Sequence, residues 1–278
     1  MAGILTTAET DFWRENGYLA PFTALTTEQA RARRTKLEDW EARTQKHPTR
    51  SASLKAHLIF TWLYDVATSP AILDRVESLI GPNILIYSST IWLKDVNDGT
   101  FVSWHQDSGY LGIDPPDGLQ VWVALADASS SNGCLRISPG SHKSPDLVHE
   151  ETFNPKNLVS RGQVLHDIDE SKAVDLELKA GQFSLHHERT VHGSGYNNGP
   201  DRRIGYSVLY MPTYSRCTLS RRGALLARGE DTYGHWDLET PPTRDEDPDV
   251  FAYLDRAWAG FKKRDIPQAP LRAEAAGD

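Results

Sequence analysis

A chain of 278 residues, 39% hydrophobic and 24% charged, is long enough to bury one sizeable β-rich core. Its formal charge of -8 excludes a phosphate-binding surface of clustered Lys and Arg, so no nucleic-acid partner is expected. The two cysteines, Cys134 and Cys217, are too few for a disulfide framework or a thiolate metal cage and read as reduced thiols. With no basic-then-apolar leader and no run approaching about 18 apolar residues, no membrane partner is expected and the location reads as cytoplasmic.

In chain order, Thr6-Thr7-Ala8-Glu9 and Thr26-Thr27-Glu28-Gln29 each place a Thr hydroxyl three residues before a carboxylate or amide, the pattern of a capping box. Two helices follow, the first ended by Asn16-Gly17 and the second carried through the charged run 29–46. Ser69-Pro70 opens a third, with Ile72, Leu73, Val76, Leu79 and Ile80 on one face and Gly81-Pro82 closing it.

The pattern then changes. Segments 84–93, 119–126, 134–137, 174–178, 183–187 and 204–211 are short β-prone runs separated by turn residues. Six such runs without intervening helices predict a mainly β fold, an antiparallel jelly roll flanked by helices. A last helix starts near Pro248 with Phe251, Leu254, Trp258 and Phe261 along one stripe. Segments 141–172 and 216–239 are polar and long, and read equally as lids or as solvated insertions. The chain is expected to form one domain: a helical segment 1–82, a β core of about 83–212 and an extension 213–278.

Trp104-His105-Gln106-Asp107 supplies an imidazole and a carboxylate two residues apart, a spacing that an extended strand turns to one face. Far downstream, His192 in the run Thr190-Val191-His192-Gly193-Ser194-Gly195 offers a second imidazole, also at a strand end. Two His and one carboxylate on one face of an ion leave its other face open, which suits Fe(II) that must bind an oxoacid and O2. Zinc would favour a closed tetrahedral site. Arg202 and Arg203 open the strand that follows, and a guanidinium there matches a carboxylate bidentately. Adjacent strand residues face opposite ways, so only one of the two points inward.

These motifs, with Asn132 to His142 reading N-G-C-L-R-I-S-P-G-S-H and Arg203 eleven residues after His192, are similar to those of the phytanoyl-CoA dioxygenase family of iron(II)/2-oxoglutarate oxygenases. The likeness spans roughly 84–212. It implies a double-stranded β-helix, a cupin-like form of jelly roll, with iron held by His105, Asp107 and His192. It implies 2-oxoglutarate held by Arg203, with lesser contacts from Ser194, Gln106 and Trp122, and O2 as the oxidant of a small-molecule substrate. Strict alternation would turn Gln106 away from His105 and Asp107, so its role requires the strand to twist or end there.

Members of such a family that halogenate replace the acidic ligand by a small residue; Asp107 makes this site look hydroxylase-like. Desaturation, epimerisation and cyclisation use the same three ligands. A cupin-like metal-dependent isomerase or hydrolase, or a non-catalytic binding protein, would keep the barrel without the oxoacid. One of His186 and His187 must face inward, with a supporting role for either. His142 reads as a turn residue, Tyr110, Lys94 and Tyr206 are candidates for the pocket wall, and the oligomeric state is left open.

Overall fold

The computed structural model describes residues 4–52 and 54–262. Both capping boxes form: Thr6 Oγ1 accepts the Glu9 N–H at 3.2 Å while the Glu9 carboxylate accepts the Thr6 N–H at 2.7 Å, and Thr26 and Gln29 repeat the exchange. They start the helices Thr7–Asn16 and Thr27–Thr44. Gly17, at φ 76°, ends the first in the left-handed region, where a Cβ would also strike the His142 ring. The helix Pro70–Ile80 buries Ile72, Leu73 and Val76, the stripe its periodicity predicts.

Eleven strands build the core: β1 (Tyr18–Thr23), β2 (Ile84–Lys94), β3 (Val102–His105), β4 (Leu119–Ala124), β5 (Leu135–Ile137), β6 (Val174–Leu176), β7 (Gln182–His187), β8 (His192–Ser194), β9 (Arg203–Pro212), β10 (Gly223–Arg228) and β11 (Asp237–Leu238). The major sheet runs β1-β7-β4-β9-β2-β10-β11 and the minor sheet β3-β8-β5-β6. From β2 to β4, and again from β7 to β9, the chain alternates between the sheets, winding them into a double-stranded β-helix. The fold is therefore the expected mainly β jelly roll with flanking helices.

Alternation along each strand decides where the core lies and where the cavity opens. On β4, Val121 and Val123 join Phe183, Leu185, Ile204 and Val208 against the helices. Each such fully buried aliphatic or aromatic group stabilises the fold by about 1.5–3 kcal/mol. The other face of β4 sends Trp122 and Ala124 toward Leu135, Ile137 and Leu176 of the minor sheet. Tyr206 belongs to the helical side, so it does not serve the pocket wall.

Three segments depart from the expectations. Tyr18–Thr23 contains Pro21 and shows no strand signal, yet it forms the edge strand β1, where a missing N–H disturbs little; the register slips between Leu19 and Phe22. Segment 216–239 is neither lid nor solvated insertion: β10 pairs with β2, and Trp236 is buried edge-on against Tyr87. Segment 141–172 forms the ribbon Glu150–Glu151 with Gln163–Val164 and the short 3-10 turns Ser141–Lys143 and Glu170–Lys172, and clings to β3 and the residue before it through Leu165 N–H to Trp104 O at 2.8 Å and Leu158 N–H to Phe101 O at 2.8 Å.

The closing helix Pro248–Lys262 buries Leu254 and rests Val250 and Phe251 on the main core. The side chains of Trp258, Phe261 and Tyr110 lie outside the described residues. No described helix is long and apolar enough to cross a membrane.

Candidate active site

His105 closes β3 and His192 opens β8, and the two are register partners with ring centroids 4.2 Å apart. Gly193 permits this approach: a Cβ there would meet Val102 O at 3.1 Å and Trp104 N at 3.2 Å. Asp107 arrives by a different route from the one alternation suggests. The strand ends at His105, and Asp107 turns into helical geometry at φ -68°, ψ -39°, with its N–H on Glu188 O at 3.0 Å. One ligand atom from each of His105, Asp107 and His192 lies within 4.8 Å of the others, all three residues buried.

The hydrogen bonds around these groups set their chemistry. Nδ1 of His105 meets Ser103 O at 2.8 Å and Nδ1 of His192 meets Thr190 O at 2.9 Å. A carbonyl only accepts, so Nδ1 carries the proton and Nε2 keeps its lone pair for a ligand. Burial pushes His192 down to about 4, which favours the neutral, ligating form. For Asp107, burial alone would raise the carboxyl, but its place among the imidazoles of His105, His192 and His186 outweighs burial and holds the group well below the usual range. Its Oδ2 accepts from Gln120 Nε2 at 2.9 Å.

These donors open on a small cavity whose wall includes Trp122, Ser194 and Arg203. Arg203 is 2% exposed; its guanidinium sits 5.5 Å over the Trp122 ring, gives one N–H to Ser194 Oγ at 3.1 Å and another to Trp92 O at 3.3 Å, and meets no carboxylate within ion-pair distance among the described residues. Its Nε has no partner. Gly205 makes the stacking feasible, since a Cβ there would lie 1.9 Å from Trp122 Cζ2. Arg202 faces the other way, onto Glu41 and Asp95.

Lys94, the register partner of Arg203, is buried beside it. Its Nζ contacts Ser194 Oγ at 2.6 Å, Ser194 O at 3.1 Å and Gly195 O, while Ser194 gives its own proton to Gly133 O. Burial, then Arg203, pushes Lys94 down to about 5. Three acceptors nevertheless call for three N–H donors, so the contacts hold the ammonium form and place two cations at this end.

Gln106 requires a correction. The strand ends there, as its role requires, yet its amide is spent on Arg189 O at 2.8 Å and Leu147 N–H at 2.7 Å, and it does not join the cavity wall. His186 is the inward histidine, its ring 4.5 Å from that of His192; burial, then His192, pushes it well below its ordinary value. His187 packs against Trp13 and His142 instead. Gln120 escaped sequence reading altogether; the signal was its place two residues before Trp122, on the same strand face.

A family model described as Phytanoyl-CoA dioxygenase (PhyH) matches residues 13–205. A probable alpha-ketoglutarate-dependent hypophosphite dioxygenase of Stutzerimonas stutzeri is 33% identical over 158 residues, 55% of each chain. Human peroxisomal phytanoyl-CoA dioxygenase is 32% identical over 140 residues, 49% of this chain and 41% of that protein. The chain spans about half the length of the curated relatives it matches. Among solved structures, the apo form of the non-heme monooxygenase ThoJ superposes with a TM-score of 0.80 at 33% identity, covering 93% of this chain and 97% of that one. CytC3 with Fe(II) and alpha-ketoglutarate shares the fold at 22% identity and a TM-score of 0.66, over 89% of this chain and 98% of that one. The match over residues 13–205, joined to a structural likeness along nearly the whole chain, establishes that this protein belongs to the phytanoyl-CoA dioxygenase family.

Proposed function

We propose that the protein is an Fe(II)- and 2-oxoglutarate-dependent dioxygenase that hydroxylates a small molecule, with His105, Asp107 and His192 as metal ligands. The observation that carries the reading is the buried Arg203 guanidinium, which has no acidic partner among the described residues and stands in the same cavity as two imidazoles and a carboxylate. A buried cation without a counter-ion is costly, and a dicarboxylate spanning the cavity supplies one. A cupin-like isomerase would have no use for that charge.

The donor set fits Fe(II): two nitrogens and one carboxylate oxygen, with no thiolate. Fe(II), 2-oxoglutarate and O2 together supply an oxidant able to break a C–H bond, with succinate and CO2 as co-products. The chain's own part is to bind and orient. Arg203 offers a fork of donors to the distal carboxylate, Ser194 adds a hydroxyl, and Lys94 lends a second positive charge. Trp122 and Leu135 give this region apolar walls that keep water from the reacting groups.

One domain is part of this reading, with the helical segment 1–82, the β core and the extension 213–278 acting together; β10, from the extension, pairing within the major sheet supports it. So is a cytoplasmic setting. The test is succinate release from 2-oxoglutarate by the iron-loaded chain, with and without candidate substrates. Activity that needs no 2-oxoglutarate, or no succinate under any condition with iron bound, would sink the proposal.

A further inference from the structure

Resting on the reading above, we propose that Gln120 and His186 form the substrate-recognition pair of the cavity, taking an uncharged group that both donates and accepts a hydrogen bond, such as a carboxamide or an alcohol. The two residues are register partners on β4 and β7, and both line the cavity. Gln120 gives an N–H to Asp107 Oδ2 at 2.9 Å, which fixes the amide and turns Oε1 to the other side. That oxygen is buried without a partner, and so are both ring nitrogens of His186, which is 2% exposed. Buried polar atoms in native proteins are nearly always satisfied, so three orphans side by side mark a place for a ligand.

Their position separates this ligand from the co-substrate. Leu209, the register partner of Gln120 on β9, lies six residues along the strand from Arg203, a backbone separation of roughly 20 Å. Arg203 and Ser194 therefore serve one end of the cavity, and Gln120 and His186 the end beyond Asp107. The His186 imidazole offers an N–H, and the glutamine oxygen presents only lone pairs. A carboxylate or phosphate here would face that oxygen with the Asp107 carboxylate behind it, and an ammonium has no acceptor for an imidazole N–H. A purely apolar group would leave all three atoms unsatisfied.

The full chain, loaded with Zn(II) as an inert stand-in and saturated with 2-oxoglutarate, is titrated with acetamide, N,N-dimethylacetamide, acetate and methylammonium by ligand-detected NMR. Acetamide is expected to bind best, about tenfold tighter than the dimethyl analogue that has lost its donors. His186→Phe and Gln120→Leu are each expected to weaken acetamide about tenfold, and His186→Gln, which restores a donor and an acceptor, to recover most of that loss. The proposal is overturned if acetate or methylammonium binds as tightly as acetamide, if acetamide does not bind, or if both apolar substitutions leave its affinity unchanged. The probe ranking is read on the unsubstituted chain and so stands even where a variant does not fold. Calorimetric binding of 2-oxoglutarate to the same samples separates the two ideas, because its failure on the unsubstituted chain would count against the iron and oxoacid reading instead.

Discussion

Asp107 holds two oxygens in different duties, Oδ1 3.4 Å from His105 Nε2 and Oδ2 on the Gln120 amide. Asp107→Ala removes the one carboxylate of the donor set, so Fe(II) affinity should fall on the order of 100-fold or more, and succinate release with it. Metal titration checks this, and a variant that kept its iron and its decarboxylation would refute the assignment. Arg203→Ala should act at the other end: losing charge-assisted hydrogen bonds worth about 1.5–3 kcal/mol weakens 2-oxoglutarate about 10- to 100-fold while metal affinity stays as it was. Gly205→Ala is subtler, because its Cβ would lie 1.9 Å from the Trp122 ring that stacks on Arg203. Overpacking of this kind costs about 1–3 kcal/mol, so both thermal stability and 2-oxoglutarate affinity should drop. His105, Asp107 and His192 were legible as proposed ligands through the family motifs, since an H-x-D spacing by itself recurs by chance in a chain with ten His residues. Lys94 and His186 were harder to place, since their strands are buried on both faces and no polar-apolar contrast marks the inner one.

Among the elements, the six β-prone runs emerge within a residue or two of their expected ends, because short apolar stretches between turn residues have few alternatives. Context-dependent elements were not legible: β1 hides behind a proline, and β10 sits among the arginines of a segment that composition marks as surface. The segment 141–172 is the element whose role the structure sharpens most. It is tied beside the site by Gln106, whose amide bridges Arg189 O and the Leu147 N–H, and by His149, whose Nε2 accepts the Gln106 N–H at 2.9 Å. Gln106→Leu should release this latch while His105, Asp107 and His192 keep their places. Hydrogen exchange around 146–150 is expected to accelerate, and the Km for the organic substrate to rise more than that for 2-oxoglutarate. Unchanged exchange in 146–150 would show that the segment is held by its contacts with β3 alone.

At the scale of the whole molecule, the C-terminal extension is bound to the N-terminal helical layer by Arg228 to Asp74 and Glu77, by Arg43 to Glu246, and by a buried ion pair. Lys55, in the left-handed conformation at φ 52°, reaches Glu239 at 2.9 Å and Gly223 O at 3.0 Å, and also contacts Tyr87 O. Both side chains of the pair are 6% exposed, and Tyr253 of the closing helix donates its hydroxyl to Glu239. Burial lowers Lys55, and the Glu239 carboxylate works against that shift. Desolvation makes such a pair a poor source of net stability, yet removing one partner strands the other charge at a cost of about 3–5 kcal/mol. Glu239→Leu alone should therefore lower Tm sharply and loosen β10, β11 and the closing helix together. The double variant Lys55→Met/Glu239→Leu should regain most of the loss, since no charge is left buried. Losses that simply add in the double variant would mean that Lys55 and Glu239 contribute independently, and would count against a stranded charge as the cause. Because β10 hydrogen-bonds to β2, the strand that carries Lys94, loosening on this side should also reach the co-substrate end of the cavity, and weaker 2-oxoglutarate binding in Glu239→Leu, restored in the double variant, is the expected sign of it.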